Sequence, residues 1–123
     1  MHQHFFSSRF VLVAVLVVTS LCVATAASAM SLRELRGLEK SGKNGIFYAN
    51  YYLVGVMEGV LEAHDHGVRY GATATICMNG RRLEPRMAKG LFDTERKRNA
   101  DVYEADMPVQ LVMANALSTV YSC

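Results

Sequence analysis

Across residues 46–66 the apolar side chains recur with the period of an α-helix, and no other feature constrains the fold of this chain as strongly. At about 100° per residue, Ile46, Ala49, Leu53, Val54, Val56, Met57, Val60, Leu61 and Ala63 cover roughly half the circumference. Glu58, Glu62 and Asp65 fall on the other side. So broad an apolar arc predicts the central helix of a bundle, contacted from several directions.

Three further helices complete the reading. Ser31-Leu32-Arg33-Glu34 matches a capping box, followed by Leu32, Leu35 and Leu38 on one side. Ser41-Gly42-Lys43-Asn44-Gly45 should stop that helix, with Asn44 placed to cap the next. Residues 67–82 hold Gly67, Gly71, Gly80 and an Asn79-Gly80 turn signal, and read as a connection. Its stretch 73–76 is weakly strand-like but has no evident pairing partner. Pro85 suits the first turn of a third helix with Met87, Ala88, Leu91 and Phe92 inward, ending in Glu95-Arg96-Lys97-Arg98. Asp106 and Pro108 suit the cap and start of a fourth. Its apolar set is Val109, Val112, Met113, Ala116, Leu117, Val120 and Tyr121, the cleanest amphipathic pattern in the chain. The expected fold is all-α: a small four-helix, bundle-like domain.

The N-terminal part has a different composition. Residues 1–29 contain 19 apolar residues and, histidines aside, one ionisable side chain, Arg9. Arg9 precedes an apolar run over residues 10–18, and Ala27-Ser28-Ala29 gives the A-x-A pattern of signal peptidase. This order predicts a secretory signal peptide over residues 1–29, cleaved after Ala29, and a domain over residues 30–123 that is exported to the periplasm. The alternative, a membrane anchor over residues 10–31, is opposed by Thr19, Ser20, Thr25 and Ser28. Leu21 before Cys22 is too bulky for a lipobox. The expected mature protein therefore has no stable membrane anchor.

That mature chain carries 12 basic and 11 acidic residues, which gives no electrostatic case for a nucleic-acid partner. Its 94 residues suffice for one modest core, burying about 65% of the unfolded surface, and exclude multi-layer enzyme and Rossmann folds. Cleavage leaves Cys77 and Cys123, an even pair in an oxidising compartment without a C-x-x-C motif. A structural disulfide is the expected use, rather than a redox or nucleophilic thiol. Its closed loop should stabilise by about 4 kcal/mol in the chain-entropy model and tie down the C-terminus.

Candidates for chemistry are few. His64-Asp65-His66 is the one histidine cluster after residue 29, but its spacing does not suit a helix-borne metal site, and helix-terminal histidines favour the dipole. Ser31, Ser41, Ser118 and Ser122 lack the turn and oriented base of a hydrolase nucleophile. Glu58 and Glu62 have the spacing of any solvated helix face. Arg81, Arg82, Arg86, Lys89 and the 96–98 run are interspersed with Glu84, Asp93 and Glu95, as on a solvated face. No catalytic residue, metal or cofactor is expected. Gly55 and Gly59 form G-x-x-x-G inside the long helix and predict close approach of another helix. Tyr48 and Tyr51 lie near the same side, and with Tyr70 in the connection they are the expected partner contacts.

Four features together resemble the Rap/Tai group of small immunity proteins associated with type VI secretion. They are Tyr52-Leu53-Val54-Gly55-Val56, Ile76-Cys77, the spacing to the final cysteine, and the ending Ala116-Leu117-Ser118-Thr119-Val120-Tyr121-Ser122-Cys123. Met78-Asn79-Gly80 stands where that family has a proline-containing stretch. The resemblance implies a periplasmic, all-helical protein with one disulfide, often a homodimer, that binds and occludes a peptidoglycan-cleaving amidase effector. The competing class is a periplasmic stress or acid-response chaperone of the Hde type, also small, helical and singly disulfide-bonded.

Overall fold

The computed structural model describes residues 29–123, so the expected signal peptide, residues 1–29, lies outside the described residues except for Ala29. Four helices follow: α1 Leu32–Lys40, α2 Lys43–Arg69, α3 Met87–Arg98 and α4 Val109–Val120. Among the described residues there is no strand, only isolated antiparallel bridges at Ser31–Pro108 and Ile76–Ser122. The protein is an all-α, bundle-like domain stapled by a Cys77–Cys123 disulfide with an S–S distance of 2.02 Å.

The capping box forms as the sequence predicts. Glu34 N–H donates to Ser31 Oγ at 3.3 Å, and Ser31 N–H donates to Glu34 Oε2 at 2.7 Å. These contacts, the Ser31 backbone N–H first, hold the Glu34 carboxyl below its ordinary value. The next free donors of this helix end are also satisfied: Leu32 N–H reaches Met107 O at 3.0 Å and Arg33 N–H reaches Ala105 O at 2.8 Å. Val109 N–H in turn donates to Met30 O at 3.0 Å, which ties the starts of α1 and α4 together.

Helix α2 is longer than its periodicity suggests. It begins at Lys43, and Asn44 lies inside its first turn rather than at its cap. Gly42 takes the N-cap position at φ 110°, a left-handed conformation that a glycine adopts without steric cost, and this lets the chain reverse early. At the other end the helix runs through His66 and Gly67 to Arg69. Pro85 shapes the turn before α3 rather than its first turn, with Met87 N–H bonded to Glu84 O at 2.9 Å. Asp106 does not cap α4. Pro108 occupies the N-cap in extended conformation, and Asp106, two residues upstream, pairs with Arg33 at 2.8 Å.

The core collects Leu32 and Leu35 from α1, Ala49, Leu53, Val56 and Met57 from α2, and Ala88 and Phe92 from α3. From α4 come Val109, Val112, Met113, Ala116 and Leu117, as its spacing requires. Helix α2 packs against the other three, which makes it the central element. Three expected core positions are corrected: Ile46 and Val120 are 47% and 45% exposed and Ala63 is exposed as well, so the buried arc of α2 is narrower than its apolar arc. Glu95, read as the start of a solvated run, is buried instead. Its Oε1 accepts from Tyr103 Oη and Asn99 Nδ2, each at 2.7 Å, and Tyr103 Oη accepts from Asn115 Nδ2 at 2.9 Å. Burial chiefly, with the Glu95 carboxylate, pushes the Tyr103 hydroxyl above its usual value.

The 67–82 connection contains no strand. Ile76 makes a single bridge to Ser122, and Cys77 N–H donates to Tyr121 O at 2.7 Å beside the disulfide. The C-terminal residues are thus held by one covalent and one backbone link to the same point.

Candidate functional site

With three helices on its inner side, α2 keeps one outward face along its length, and this face carries the features most suited to binding. Near its N-terminal end Phe47, Tyr48 and Tyr51 are 57%, 62% and 64% exposed. Their rings support one another. The Phe47 and Tyr51 centroids are 4.7 Å apart at 65°, and those of Phe47 and Tyr48 are 6.4 Å apart at 72°. The result is an edge-packed aromatic ridge on a rigid helix. Phe47 was not legible as part of it, although its i, i+4 relation to Tyr51 is the available signal.

Two depressions lie along this helix, one of them beside the ridge at Tyr51. One, of about 420 Å³, lies between α2 and the start of α3 and is lined by Asn50, Tyr51, Val54, Pro85, Arg86 and Lys89. Both cations there are compensated. Arg86 pairs with Glu84 at 2.5 Å, and Lys89 pairs with Asp93 at 2.9 Å and Glu39 at 3.3 Å. Hydrogen bonding to Asp93 chiefly raises the Lys89 ammonium above its usual range. Asn50 Oδ1 is buried at this place without a hydrogen-bond partner.

The second depression, about 600 Å³, is bounded by Tyr52, Val56, Val60, Ala63 and Gln110, with Gly55 and Gly59 in its floor. Here an expectation is corrected. A Cβ built on Gly55 or Gly59 meets nothing within 4 Å, so among the described residues no helix approaches there. The close approach is at Gly45, where a Cβ would fall on Leu38 O and Ser41 Oγ at the end of α1. At the rim of the groove the Tyr52 hydroxyl is raised, chiefly by burial and against a hydrogen bond from the Met30 backbone.

Tyr70, 80% exposed, sits at the opposite end of α2, where its ring lies 4.6 Å from that of His66. From Tyr51 it is 19 residues away, or about 29 Å along a helix, so the three predicted contact tyrosines do not form one patch. The histidine cluster also divides. His64 is turned inward to the connection and His66 outward to Tyr70. Among the described residues, no group of three histidine, cysteine or acidic side chains is placed to hold a metal ion. Two further basic residues are engaged locally: Arg81 lies 4.7 Å over the Tyr121 ring, and Arg96 lies over Phe92 and pairs with Asp93. Among the described residues no helix is long and apolar enough to cross a membrane.

Comparison with protein-family models, with curated proteins and with solved structures finds no match for this chain.

Proposed function

We propose that this is a periplasmic inhibitor of the immunity type, which binds a secreted peptidoglycan-cleaving amidase of a type VI secretion system and occludes its cleft. The observation that carries the reading is the Phe47–Tyr48–Tyr51 ridge. Three large aromatic side chains stand together in solvent on a helix whose inner face already builds the core. Rigid aromatic anchors beside a depression are the usual high-energy part of a protein interface. The motif resemblance around Gly55, Cys77 and the C-terminal Tyr121-Ser122-Cys123 supplies the class of partner. Occlusion asks nothing of the protein but a preorganised surface, and a disulfide-stapled bundle provides one.

Co-expression with an amidase encoded beside it and directed to the periplasm should restore growth. Purified protein should suppress peptidoglycan cleavage in proportion to complex formed. Tyr48→Ala with Tyr51→Ala should weaken the complex by about 100-fold, the loss of two anchors at roughly 1.4 kcal/mol each. Failure of any neighbouring effector to bind, together with acid-induced capture of aggregating clients, would assign the protein to the chaperone class instead.

A further inference from the structure

At the far end of α2 one side chain fastens the connection to the helix. His64 is 13% exposed, and its Nε2 faces two consecutive backbone N–H groups, Thr75 at 3.1 Å and Ile76 at 3.2 Å. Both are donors, so Nε2 must accept, and the neutral ring must carry its proton on Nδ1. Nδ1 lies 3.1 Å from Asp65 Oδ1, the position in which that proton is used. After Ala72 N–H, which still reaches Gly67 O, these two are the next hydrogen bonds the connection makes. Beyond them the chain is held independently by the Ile76–Ser122 bridge and the disulfide.

We propose that neutral His64 is an acid-sensitive latch, and that its protonation frees residues 73–75 from α2. An imidazolium is a donor at both nitrogens. On protonation Nε2–H would point at two other N–H groups, and both bonds would be lost together. The charged surroundings do not reverse this. The one carboxylate within 4 Å of a ring nitrogen is Asp65 on α2 itself; it favours the cation, but its side chain is 53% exposed and screened by water. The other ionisable side chains nearby on α2, Glu62 and Arg69, pair with each other at 2.9 Å, and His66 faces Tyr70. Between Tyr70 and Cys77 the connection has no ionisable side chain. The C-terminal segment beside Ile76 contributes buried Tyr121, covered by the Arg81 guanidinium, and the exposed end at Cys123. Protonation therefore turns the acceptor of two backbone N–H groups into a third donor facing them.

The test is nuclear magnetic resonance on ¹⁵N-labelled protein, with amide-exchange protection factors read between about pH 8 and pH 5. At the upper pH the His64 ring should be the Nδ1–H tautomer. As the ring titrates, protection at Thr75 and Ile76 should fall by roughly tenfold or more, the loss of bonds worth about 1 kcal/mol each, while α4 stays protected. His64→Gln places an amide oxygen where Nε2 stood and should make that protection independent of pH; His66→Gln should change nothing. An Nε2–H tautomer in the wild type overturns the latch, as does full protection at both amides after His64 has titrated, or transfer of the pH dependence to His66. The tautomer measurement decides the matter even if His64→Gln does not fold.

Discussion

Replacing glycine by alanine at three places in α2 should give opposite signs of the same chemical change. Inside a helix the substitution favours folding by about 0.8–1.0 kcal/mol, because alanine loses less backbone entropy. At Gly55 and Gly59 the new Cβ meets nothing within 4 Å, so nothing opposes that gain. At Gly45 it would fall on Leu38 O and Ser41 Oγ, closer than real Cβ contacts are found. The hydroxyl can rotate away, but Leu38 O is backbone and already accepts from Ser41 N–H at 3.1 Å and Ser41 Oγ at 2.7 Å. The end of α1 must therefore shift and weaken those bonds. Overpacking of about 1–3 kcal/mol and a disturbed hydrogen bond outweigh the propensity gain, for a net loss of about 2 kcal/mol. For a domain of this size 1 kcal/mol moves the midpoint by about 4–8 °C. In thermal unfolding followed by circular dichroism, Gly55→Ala and Gly59→Ala should each raise Tm by about 5 °C and Gly45→Ala should lower it by about 10 °C. A stabilising Gly45→Ala would refute the claimed close approach of α1. A destabilising Gly55→Ala whose effect grows with protein concentration would mean that a second molecule covers the groove.

Three other outcomes follow from the same geometry. Cys77→Ser should lose about 4 kcal/mol, the chain-entropy value for a loop of 46 residues, read from urea unfolding with midpoint and slope both fitted, because the unfolded chain expands once the crosslink is gone. Tyr103→Phe should cost about 2 kcal/mol, since Glu95, 4% exposed, loses a donor to its carboxylate and Asn115 loses an acceptor. The lowered Glu34 carboxyl adds stability above the ordinary glutamate range that is lost as pH falls through its depressed value. Glu34→Gln, which keeps an acceptor for Ser31 N–H, should flatten that part of the acid limb of a stability–pH curve.

Local signals in this chain were legible where the physics is local. The capping box at Ser31 and Glu34 closes over three residues, and the spacing of the α4 core positions from Val109 to Leu117 needs no other part of the chain. Periodicity assigns an apolar face but not how much of it a neighbour covers, so Ile46, Ala63 and Val120 read as core and are exposed. It also cannot tell one helical glycine from another. Gly55 and Gly59 matched a packing motif, whereas the tight contact falls at Gly45, inside what reads as a stop signal. Glu95 was missed for a related reason. Its donor Tyr103 is eight residues away, and Asn115, which completes the network, comes from α4. His64 shows the limit most clearly. Its position near a helix C-terminus suggests a charged ring, and only the fold, by bringing the Thr75 and Ile76 amides to Nε2, makes the neutral form the one that is used.

The ridge and the latch stand on one helix, and their separation makes the two proposals independent of each other. Tyr48 and His64 are 16 residues apart, about 24 Å along α2, with the buried Leu53, Val56 and Met57 holding the intervening turns against the core. Opening of the connection in acid leaves those core contacts untouched, so the ridge should keep its shape when the latch releases. Affinity for the partner should then be insensitive to His64→Gln at every pH, while exchange at Thr75 and Ile76 changes. Titration calorimetry of wild type and variant against the same partner across the pH range measures this directly. If affinity instead falls in acid and His64→Gln abolishes the fall, the partner must grip the connection near Tyr70, and the ridge at Phe47, Tyr48 and Tyr51 is not the anchor.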